Sequence, residues 1–275
     1  MRPESRSGER PTRHDVAAIL FINRIDWLVV VDFAAIGYDL YLIDHLGLAS
    51  YSTPMIDKSV NNISAAVADI QSGSVVLSSG FGDAGAPVDL LEALIETDAE
   101  NLTIVSNNAG EGNYGLAALI AAGKVSRVIC SYPISAGSVV FQDRYQAGEI
   151  TLEVVPQGTL SERMRVAGAG IGGFFTPTSA GTELGKSKEC RKISGVEHVF
   201  EYPLKGDIAL IRATRADRWG NIVYDKSARN FGPVMAMAAT LTIVQVDEIV
   251  DLGKLDPELI ITPGIFVDRV IAHNG

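Results

Sequence analysis

Cysteine is scarce in this sequence of 275 residues, and that scarcity excludes two classes of protein. Cys130 and Cys190 cannot form the disulfide framework of a small secreted domain. Neither lies at zinc-ligand spacing from a second Cys or from a His. We therefore expect reduced thiols, a cytoplasmic location and no metal site, with Cys130 as a core residue.

Positive charge and long apolar runs are also in short supply. Lys and Arg number 23 against 33 Asp and Glu, and the resulting net charge of -10 argues against a nucleic-acid or membrane partner. Charged residues such as Arg24, Asp26 and Asp32 interrupt the apolar stretch Asp15 to Leu48. A transmembrane helix needs about 18 uncharged residues, so none is expected. The 47% hydrophobic residues and 27 glycines are typical of a globular protein.

Residues 1–54 do not match the remainder of the chain. Met1–His14 is rich in Arg, Ser and Pro, a composition typical of disorder. Two interpretations of residues 1–54 remain. They form an added helical or strand segment, or they are an upstream extension included because the start was wrongly assigned, in which case Met55 is the true first residue. We favour the second interpretation, which leaves 55–275 as the functional domain. Mass spectrometry of the natively expressed protein decides this, because an intact Met1 would contradict it.

The stretch SVVLSSGFGDAGAP, residues 74–87, predicts a strand, a glycine loop and a helix. A β-branched strand is ended by Gly80, Gly82 and Gly85, and Pro87 suits the start of a helix. Glycines allow main-chain N–H groups to approach a ligand, and a helix N-terminus favours an anion or a polarised carbonyl. A tight turn without function is the alternative.

The spacing Gly80-x-Gly82-x-x-Gly85 also fits a dinucleotide-binding fingerprint. That fingerprint requires an acid at the end of the second strand to bind the ribose hydroxyls. Here the second strand, 102–105, ends in Ser106, Asn107 and Asn108. The sequence therefore argues against NAD binding.

Strands alternate with helices along the rest of the chain, which predicts an α/β fold with a doubly wound, mostly parallel sheet flanked by helices. The expected strands are 75–77, 102–105, 125–130, 150–155, 207–213, 222–224, 241–246 and 265–270, and the expected helices lie within 56–70 and at 88–97, 116–122, 139–147, 160–167 and 232–239. In such sheets ligands bind at the carboxyl ends of the strands. The glycine loop, Asn107 and Asn108 are all expected there.

Gln157 follows the fourth strand, between Pro156 and Gly158, so its position is restricted. Its amide can donate to an oxyanion without adding a charge, although the spacing alone slightly favours a turn-stabilising amide. The glycine-rich stretch 168–182 is expected to be a loop packed close to the site. Residues 183–203 are polar and predict a hairpin on the surface.

Five segments together resemble one of the two subunit types of the family I coenzyme A transferases, the type that does not carry the nucleophile. In chain order they are Gly80-Phe81-Gly82-x-x-Gly85-x-Pro87, Ser106-Asn107-Asn108-Ala109-Gly110, Pro156-Gln157-Gly158-Thr159-Leu160-x-Glu162-Arg163, Ala228-Arg229-Asn230-Phe231 and Thr262-Pro263-Gly264-Ile265. The resemblance runs from about Met55 to Ile271 and is greatest to the 3-oxoadipate:succinyl-CoA transferases of the β-ketoadipate pathway. The acetoacetate-specific enzymes come next.

Two departures from the family pattern qualify the resemblance. The family carries its nucleophilic glutamate in a Ser-Glu-Asn-Gly segment of the other subunit type, here called the glutamate-bearing subunit, and this chain contains no such segment. The resemblance therefore implies a glutamate-bearing partner in a heterodimer or heterotetramer. Ser79 stands where the family usually has a further glycine, so the first turn of the loop is expected to differ slightly.

The resemblance implies a ping-pong transfer of coenzyme A from succinyl-CoA through a glutamyl-CoA intermediate on the partner. Gln157 is then the oxyanion donor, Asn107 and Asn108 line the pocket for the acyl group and thioester, and Gly80, Phe81, Gly82 and Gly85 form the wall facing the partner. The CoA thioester is a substrate, and no permanent cofactor is expected.

A second carboxylate on the acyl group, as in 3-oxoadipate, favours a basic side chain nearby. The candidates are Arg144, Arg163, Arg165 and Arg229, between which the sequence does not choose. Two alternative functions remain: acetoacetate as the acceptor, or a non-catalytic role in binding or assembly with the same fold.

Overall fold

The structure is a computed structural model that describes residues 18–21, 28–32, 39–44, 47–51, 56–135 and 137–273. The chain forms two compact units, 1–56 and 57–275. In the first unit four strands pair antiparallel in chain order. They are β1 (Ala18–Phe21), β2 (Leu28–Asp32), β3 (Asp39–Asp44) and β4 (Gly47–Tyr51). The described residues before Met55 thus form strands and not helices. Met1–His14 and Met55 lie outside the described residues.

The second unit begins with an alternation of helices and strands, as expected. Its first half contains α1 (Ile63–Val67), β5 (Val75–Ser78), α2 (Val88–Ile95), β6 (Leu102–Asn108), α3 (Gly115–Ala121), β7 (Val125–Tyr132), α4 (Val139–Gln146), β8 (Thr151–Val154) and α5 (Gln157–Gly168). Its second half contains β9 (Phe174–Thr176), β10 (Cys190–Ile193), β11 (Val196–Glu201), β12 (Gly206–Arg212), β13 (Arg215–Asp217), β14 (Ile222–Val223), α6 (Gly232–Ala238), β15 (Ala239–Val246), β16 (Glu248–Val250) and β17 (Arg269–Ala272). Short 3₁₀ turns lie at Glu183–Gly185, Lys226–Arg229, Pro257–Leu259 and Gly264–Phe266.

Local sequence signals explain several helix ends. The Asn62 side chain accepts hydrogen bonds from Ser64 N at 2.8 Å and Ala65 N at 3.3 Å, which satisfies backbone donors at the start of α1. Gly123 and Gly148, after α3 and α4, have φ of +76° and +74°, a conformation that costs glycine little and ends a helix.

Seven strands of this unit form one parallel sheet in the order β17-β15-β12-β5-β6-β7-β8. The chain starts in the middle at β5, proceeds outward to β8, and then returns to the other side of β5 to add β12, β15 and β17. The order therefore reverses between β5 and β12. This confirms the doubly wound α/β fold.

Both faces of the sheet are covered, so its strands are apolar on both sides. Val76, Ile104 and Leu210 belong to one buried cluster with side chains of α2 and α3. Leu77 and Val105, each one residue further along its strand, belong to a second cluster with side chains of α5 and α6. Because both faces of the sheet are covered, a ligand can approach the strands only at their ends, and in such sheets it binds at the carboxyl ends.

Three elements have a boundary that differs from expectation by three or more residues. β6 continues to Asn108, so Ser106 and both asparagines are part of the strand, and α5 begins at Gln157 itself. β17 begins at Arg269, because Gly264–Phe266 forms a 3₁₀ turn. The extension of β6 is held by the neighbouring strand β7, in which Tyr132 pairs with Asn108.

The surface hairpin is confirmed, but the second glycine-rich stretch packs elsewhere than expected. β10 and β11 pair antiparallel, with Ser194 and Gly195 at positive φ in the turn. Within 168–182, β9 pairs with β11, and the Phe175 and Phe200 ring centroids are 5.0 Å apart. The segment therefore extends the hairpin sheet, whereas we expected a loop beside the site.

Candidate active site

A cavity of about 640 Å³ lies at the carboxyl ends of β5 to β8. It is lined by Phe81, Gly82, Asn107, Asn108, Glu111, Ser131, Tyr132 and Gln157. A recess of about 40 Å³ shares Gly82 and both asparagines with this cavity and also contains Gly80. Of the residues expected at the site, Gly85 alone lines neither space. The fold thus brings the residues of three separate segments together.

The glycine loop requires its glycines for two different reasons. Gly80, Gly82 and Gly85 have φ of +134°, +59° and +73°, which disfavours any residue with a Cβ. At Gly85 there is also no space, because a Cβ would lie 2.3 Å from the Ala228 carbonyl oxygen. Gly82 has open space at the corresponding position. Gly85 therefore determines how closely the loop packs on the 226–229 turn.

Two side chains hold the glycine loop in place. The Ser79 hydroxyl donates to the Gly85 carbonyl at 2.7 Å and accepts from Arg212 N at 3.0 Å, which joins the loop to the end of β12. Asn230 accepts from Gly80 N at 3.0 Å and donates to the Ala84 carbonyl at 3.0 Å. The Gly80 N–H is thus already paired within the protein. The loop shapes the cavity, and that particular donor does not face a ligand.

The amide of Gln157 is bonded to the strand beneath it. Its Nε2 donates to Asn107 Oδ1 at 2.5 Å. Asn107 is buried in β6, and Asn108 Oδ1 accepts from Gly110 N at 3.0 Å. Because an amide nitrogen carries two N–H bonds, one of them remains to donate to a ligand in the cavity.

The charged groups around the cavity are acidic. Glu111 lines the cavity and accepts from the Ser135 hydroxyl at 2.5 Å, while Asp83 lines the recess and accepts from Tyr114 at 2.7 Å. The hydrogen bond to Asp83 raises the pKa of Tyr114. Among the described residues, neither lining contains a Lys or Arg.

Three of the four candidate arginines are engaged elsewhere. Arg144 pairs with Glu149, Arg163 with Glu153 at 2.8 Å, and Arg165 with Glu162 at 2.6 Å. Arg229 is exposed and precedes Asn230, the residue that holds the glycine loop. Arg229 is therefore the candidate whose neighbour in the chain contacts the loop.

Cys130 is a buried residue of β7, as expected. Burial raises the pKa of its thiol to about 12, so it is not a nucleophile at neutral pH. Within the described ranges no cluster of His, Cys, Asp and Glu has the arrangement of a metal site. No helix of that part of the chain has the length and apolarity needed to span a membrane.

Four residues at this site were not expected from the sequence: Asn230, Glu111, Ser131 and Tyr132. Asn230 lies in one of the five segments of the family resemblance, and Glu111 directly follows another. Ser131 and Tyr132 end β7. The rule that ligands bind at the carboxyl ends of strands would have found them if β7 had been predicted to its full length.

The profile of the coenzyme A transferase family matches residues 60–273. The chain belongs to the coenzyme A transferase family. This confirms the resemblance, and the glycine loop, the two asparagines and Gln157 all lie within the matched residues.

Three curated relatives, each one subunit of a transferase, cover most of the matched region. A subunit of the 3-oxoadipate CoA-transferase of Pseudomonas putida is 57% identical over 221 residues, which are 80% of this chain and 96% of that subunit. Its counterpart of the same name from Acinetobacter baylyi is 54% identical over 79% of this chain and 95% of the relative. A subunit of a probable succinyl-CoA:3-ketoacid coenzyme A transferase of Bacillus subtilis is 41% identical over 74% of this chain and 84% of that subunit.

Solved structures of the family share the fold. An acyl-CoA transferase of Escherichia coli O157:H7 superposes with a TM-score of 0.70 at 23% identity, over 80% of this chain and 47% of that chain. Glutaconate coenzyme A-transferase of Acidaminococcus fermentans superposes with a TM-score of 0.69 at 21% identity, over 78% of this chain and 75% of that one. The chain thus spans about half of the longer E. coli protein, and at these identities the likeness concerns the fold.

Proposed function

We propose that this chain is the subunit without the nucleophile in a heteromeric coenzyme A transferase that moves coenzyme A from succinyl-CoA to 3-oxoadipate. The observation that carries the proposal is a half-complete site. Its cavity combines neutral amides with a shaped glycine loop, while the chain has no Ser-Glu-Asn-Gly segment. The choice of 3-oxoadipate is supported by the 57% and 54% identical relatives, whose names specify that acid.

In the proposed mechanism the attacking glutamate belongs to the glutamate-bearing subunit. It attacks the succinyl-CoA thioester, which forms a succinyl-glutamyl anhydride and releases the coenzyme A thiolate; the thiolate then attacks the glutamyl carbonyl, which gives the glutamyl-CoA thioester and releases succinate. The acceptor carboxylate attacks that thioester in the same way, and the released thiolate then takes the acceptor acyl group from the second anhydride and frees the glutamate. Each step forms a tetrahedral oxyanion. The free N–H of Gln157 would donate to that oxygen, and Asn107 and Asn108 would line the acyl and thioester pocket. The loop from Gly80 to Gly85 would form the wall towards the glutamate-bearing subunit.

Neutral donors suit this reaction. A cation beside the substrate carboxylate would stabilise the ground state as well as the transition state, whereas an amide gains most when the oxygen becomes an oxyanion. The acidic groups Asp83 and Glu111 are each hydrogen-bonded within this chain, to Tyr114 and to Ser135.

The test is to coexpress this chain with its Ser-Glu-Asn-Gly partner and to measure CoA transfer from succinyl-CoA. We expect the pair to be active and kcat/KM to be higher with 3-oxoadipate than with acetoacetate. Transfer by the purified single chain would contradict the division of the site between two subunits.

Acetoacetate is the second candidate acceptor, and it belongs to the 3-ketoacids that the name of the 41% identical Bacillus subtilis relative specifies. A higher kcat/KM with acetoacetate in the same assay would establish this alternative. A pair that assembles but transfers coenzyme A to neither acid would instead indicate a non-catalytic role in binding or assembly.

A further inference from the structure

Three buried side-chain polar atoms in the described part of the chain have no hydrogen-bond partner: Ser131 Oγ, Ser179 Oγ and Arg212 Nη1. A buried donor left without a partner costs about 1–3 kcal/mol, so each such atom requires a physical reason. Ser131 lines the 640 Å³ cavity, whereas Ser179 and Arg212 do not. A ligand in the cavity would supply the missing partner of Ser131.

The strand register places Ser131 beside Asn107. Ser106 is paired with Cys130 and Asn108 with Tyr132 in the parallel ladder of β6 and β7, so Asn107 and Ser131 occupy neighbouring positions on one face of the sheet. The preceding residues of that face, Val105 and Ile129, pack in the cluster that contains the α5 side chains Leu160 and Met164.

The same face carries the start of α5. Gln157 is the first residue of this helix, and its amide donates to Asn107. Asn107, Ser131 and Gln157 therefore surround one end of the cavity, with Asn107 holding the amide and Ser131 offering an unused hydroxyl. The three side chains come from β6, β7 and α5.

We propose that the Ser131 hydroxyl is a second neutral donor of this site, which donates its hydrogen to the carboxyl or thioester oxygen of the substrate opposite Gln157. The inference rests on the proposed function. The hydroxyl forms and breaks no covalent bond; it contributes a hydrogen bond that strengthens as negative charge develops on the oxygen. Two uncharged donors converging on one oxygen are the usual composition of an oxyanion-binding site.

The experiment compares Ser131→Ala with the wild-type chain, each in complex with the glutamate-bearing subunit. We expect kcat for transfer to fall by about 10- to 100-fold and the KM for succinyl-CoA to rise by only a few-fold, because the bond is present in the ground state and strengthens in the transition state. Thermal unfolding should occur at the same temperature or a higher one, because the removed hydroxyl has no protein partner to lose.

Two further variants serve as controls. Ser179→Ala removes the other buried, unpartnered hydroxyl, which lies outside the cavity, and should leave kcat unchanged. Ser131→Thr keeps the hydroxyl and should be faster than Ser131→Ala. A kcat of Ser131→Ala within twofold of wild type would overturn the proposal. So would a lowered unfolding temperature in Ser131→Ala, or equal rates for the Thr and Ala variants.

A binding measurement separates this inference from the proposed function. Succinate is titrated calorimetrically into the wild-type and Ser131→Ala complexes, and we expect the variant to bind several-fold more weakly. Equal dissociation constants would overturn the role of Ser131 whatever acid the complex uses. Absence of transfer to both 3-oxoadipate and acetoacetate, together with weaker succinate binding by Ser131→Ala, would overturn the proposed function and leave Ser131 as a ligand-binding residue.

Discussion

Gln157 illustrates how one residue acquires its proposed role from a neighbour that is distant in sequence. An isolated glutamine side chain at the start of a helix has many rotamers, and fixing it costs conformational entropy. The bond to Asn107, 50 positions earlier in the chain, holds the amide with one N–H towards β6. Since the amide is already oriented, little reorganisation is needed when an oxyanion forms.

Replacing Gln157 by Ala should lower turnover by about 10²–10³-fold, which is the usual effect of removing one oxyanion donor. The measurement is steady-state transfer by the intact complex, with assembly checked by gel filtration. Gln142→Ala is the matched control, since Gln142 lies on α4 outside the cavity. A fully active Gln157→Ala complex would remove this residue from the mechanism.

Arg229 is the residue at which the preference for a dicarboxylic acid should be tested. Arg229→Ala should raise the KM for 3-oxoadipate by about tenfold, equivalent to about 1.4 kcal/mol, through loss of a charged hydrogen bond. The KM for acetoacetate, which has no second carboxylate, should not change. Arg165→Ala is the control, because Arg165 is exposed and paired with Glu162. Equal effects on both acids would exclude Arg229 as the partner of the second carboxylate.

At the scale of elements, the glycine loop is an example of a local pattern completed by distant contacts. Its sequence explains the positive φ values, but its position depends on Ser79, which bonds to β12, and on Asn230. The expectation that Ser79 alters the first turn is not tested by these contacts. They show that its hydroxyl forms a link that a glycine could not form.

Gly85→Ala should destabilise the protein more than an ordinary glycine substitution at positive φ. A Cβ at Gly85 would lie 2.3 Å from the Ala228 carbonyl oxygen, whereas Gly123 has a similar φ and open space around it. We expect Gly123→Ala to cost about 1–2 kcal/mol from backbone conformation alone, and Gly85→Ala to cost more because of the clash. Denaturant unfolding measures both. Equal losses would contradict the packing of the loop on the 226–229 turn.

At the scale of the whole unit, an ion pair connects the first helix to the last strand of the parallel sheet. Arg269 in β17 donates to both carboxylate oxygens of Asp69, at 2.7 and 2.6 Å, and to the Ala66 carbonyl at 2.7 Å. The hydrogen bonds from Arg269 to the carboxylate lower the pKa of Asp69. Because the folded-state pKa is lowered, the stabilisation is present above the unfolded-state pKa and is lost as the pH falls through the folded-state pKa.

Asp69→Asn should therefore lower the free energy of unfolding at pH 7 by at most about 1 kcal/mol, since solvent screens this largely exposed carboxylate. The loss should shrink in strongly acidic solution, where Asp69 is protonated in both states. Glu183→Gln breaks an exposed pair within one turn, Glu183–Lys186, and should have less effect at either pH. A constant difference between Asp69→Asn and wild type from pH 7 to pH 2 would contradict the assignment to charge.

From the sequence follow the chain order of the helices and of the seven strands of the parallel sheet, the doubly wound fold, and the residues that come after strands 75–77, 102–105 and 150–155. These follow from hydrophobic periodicity, from glycine and proline positions, and from the rule that parallel strands carry their ligands at one edge. Gly80, Gly82, Asn107, Asn108 and Gln157 could be placed at this edge because each follows a predicted strand, whereas Phe81 was expected there only from the family resemblance.

Tertiary structure alone decided which of these groups are already paired and which are left to bind a ligand. Asn230 occupies the Gly80 N–H from 150 positions away, three arginines are engaged with nearby glutamates, and Ser131 is left without a partner beside Asn107. Such pairings depend on strand register and on the packing of helices over the sheet. A residue's immediate sequence neighbours contain no information about either, because the interacting groups meet only after the chain has folded.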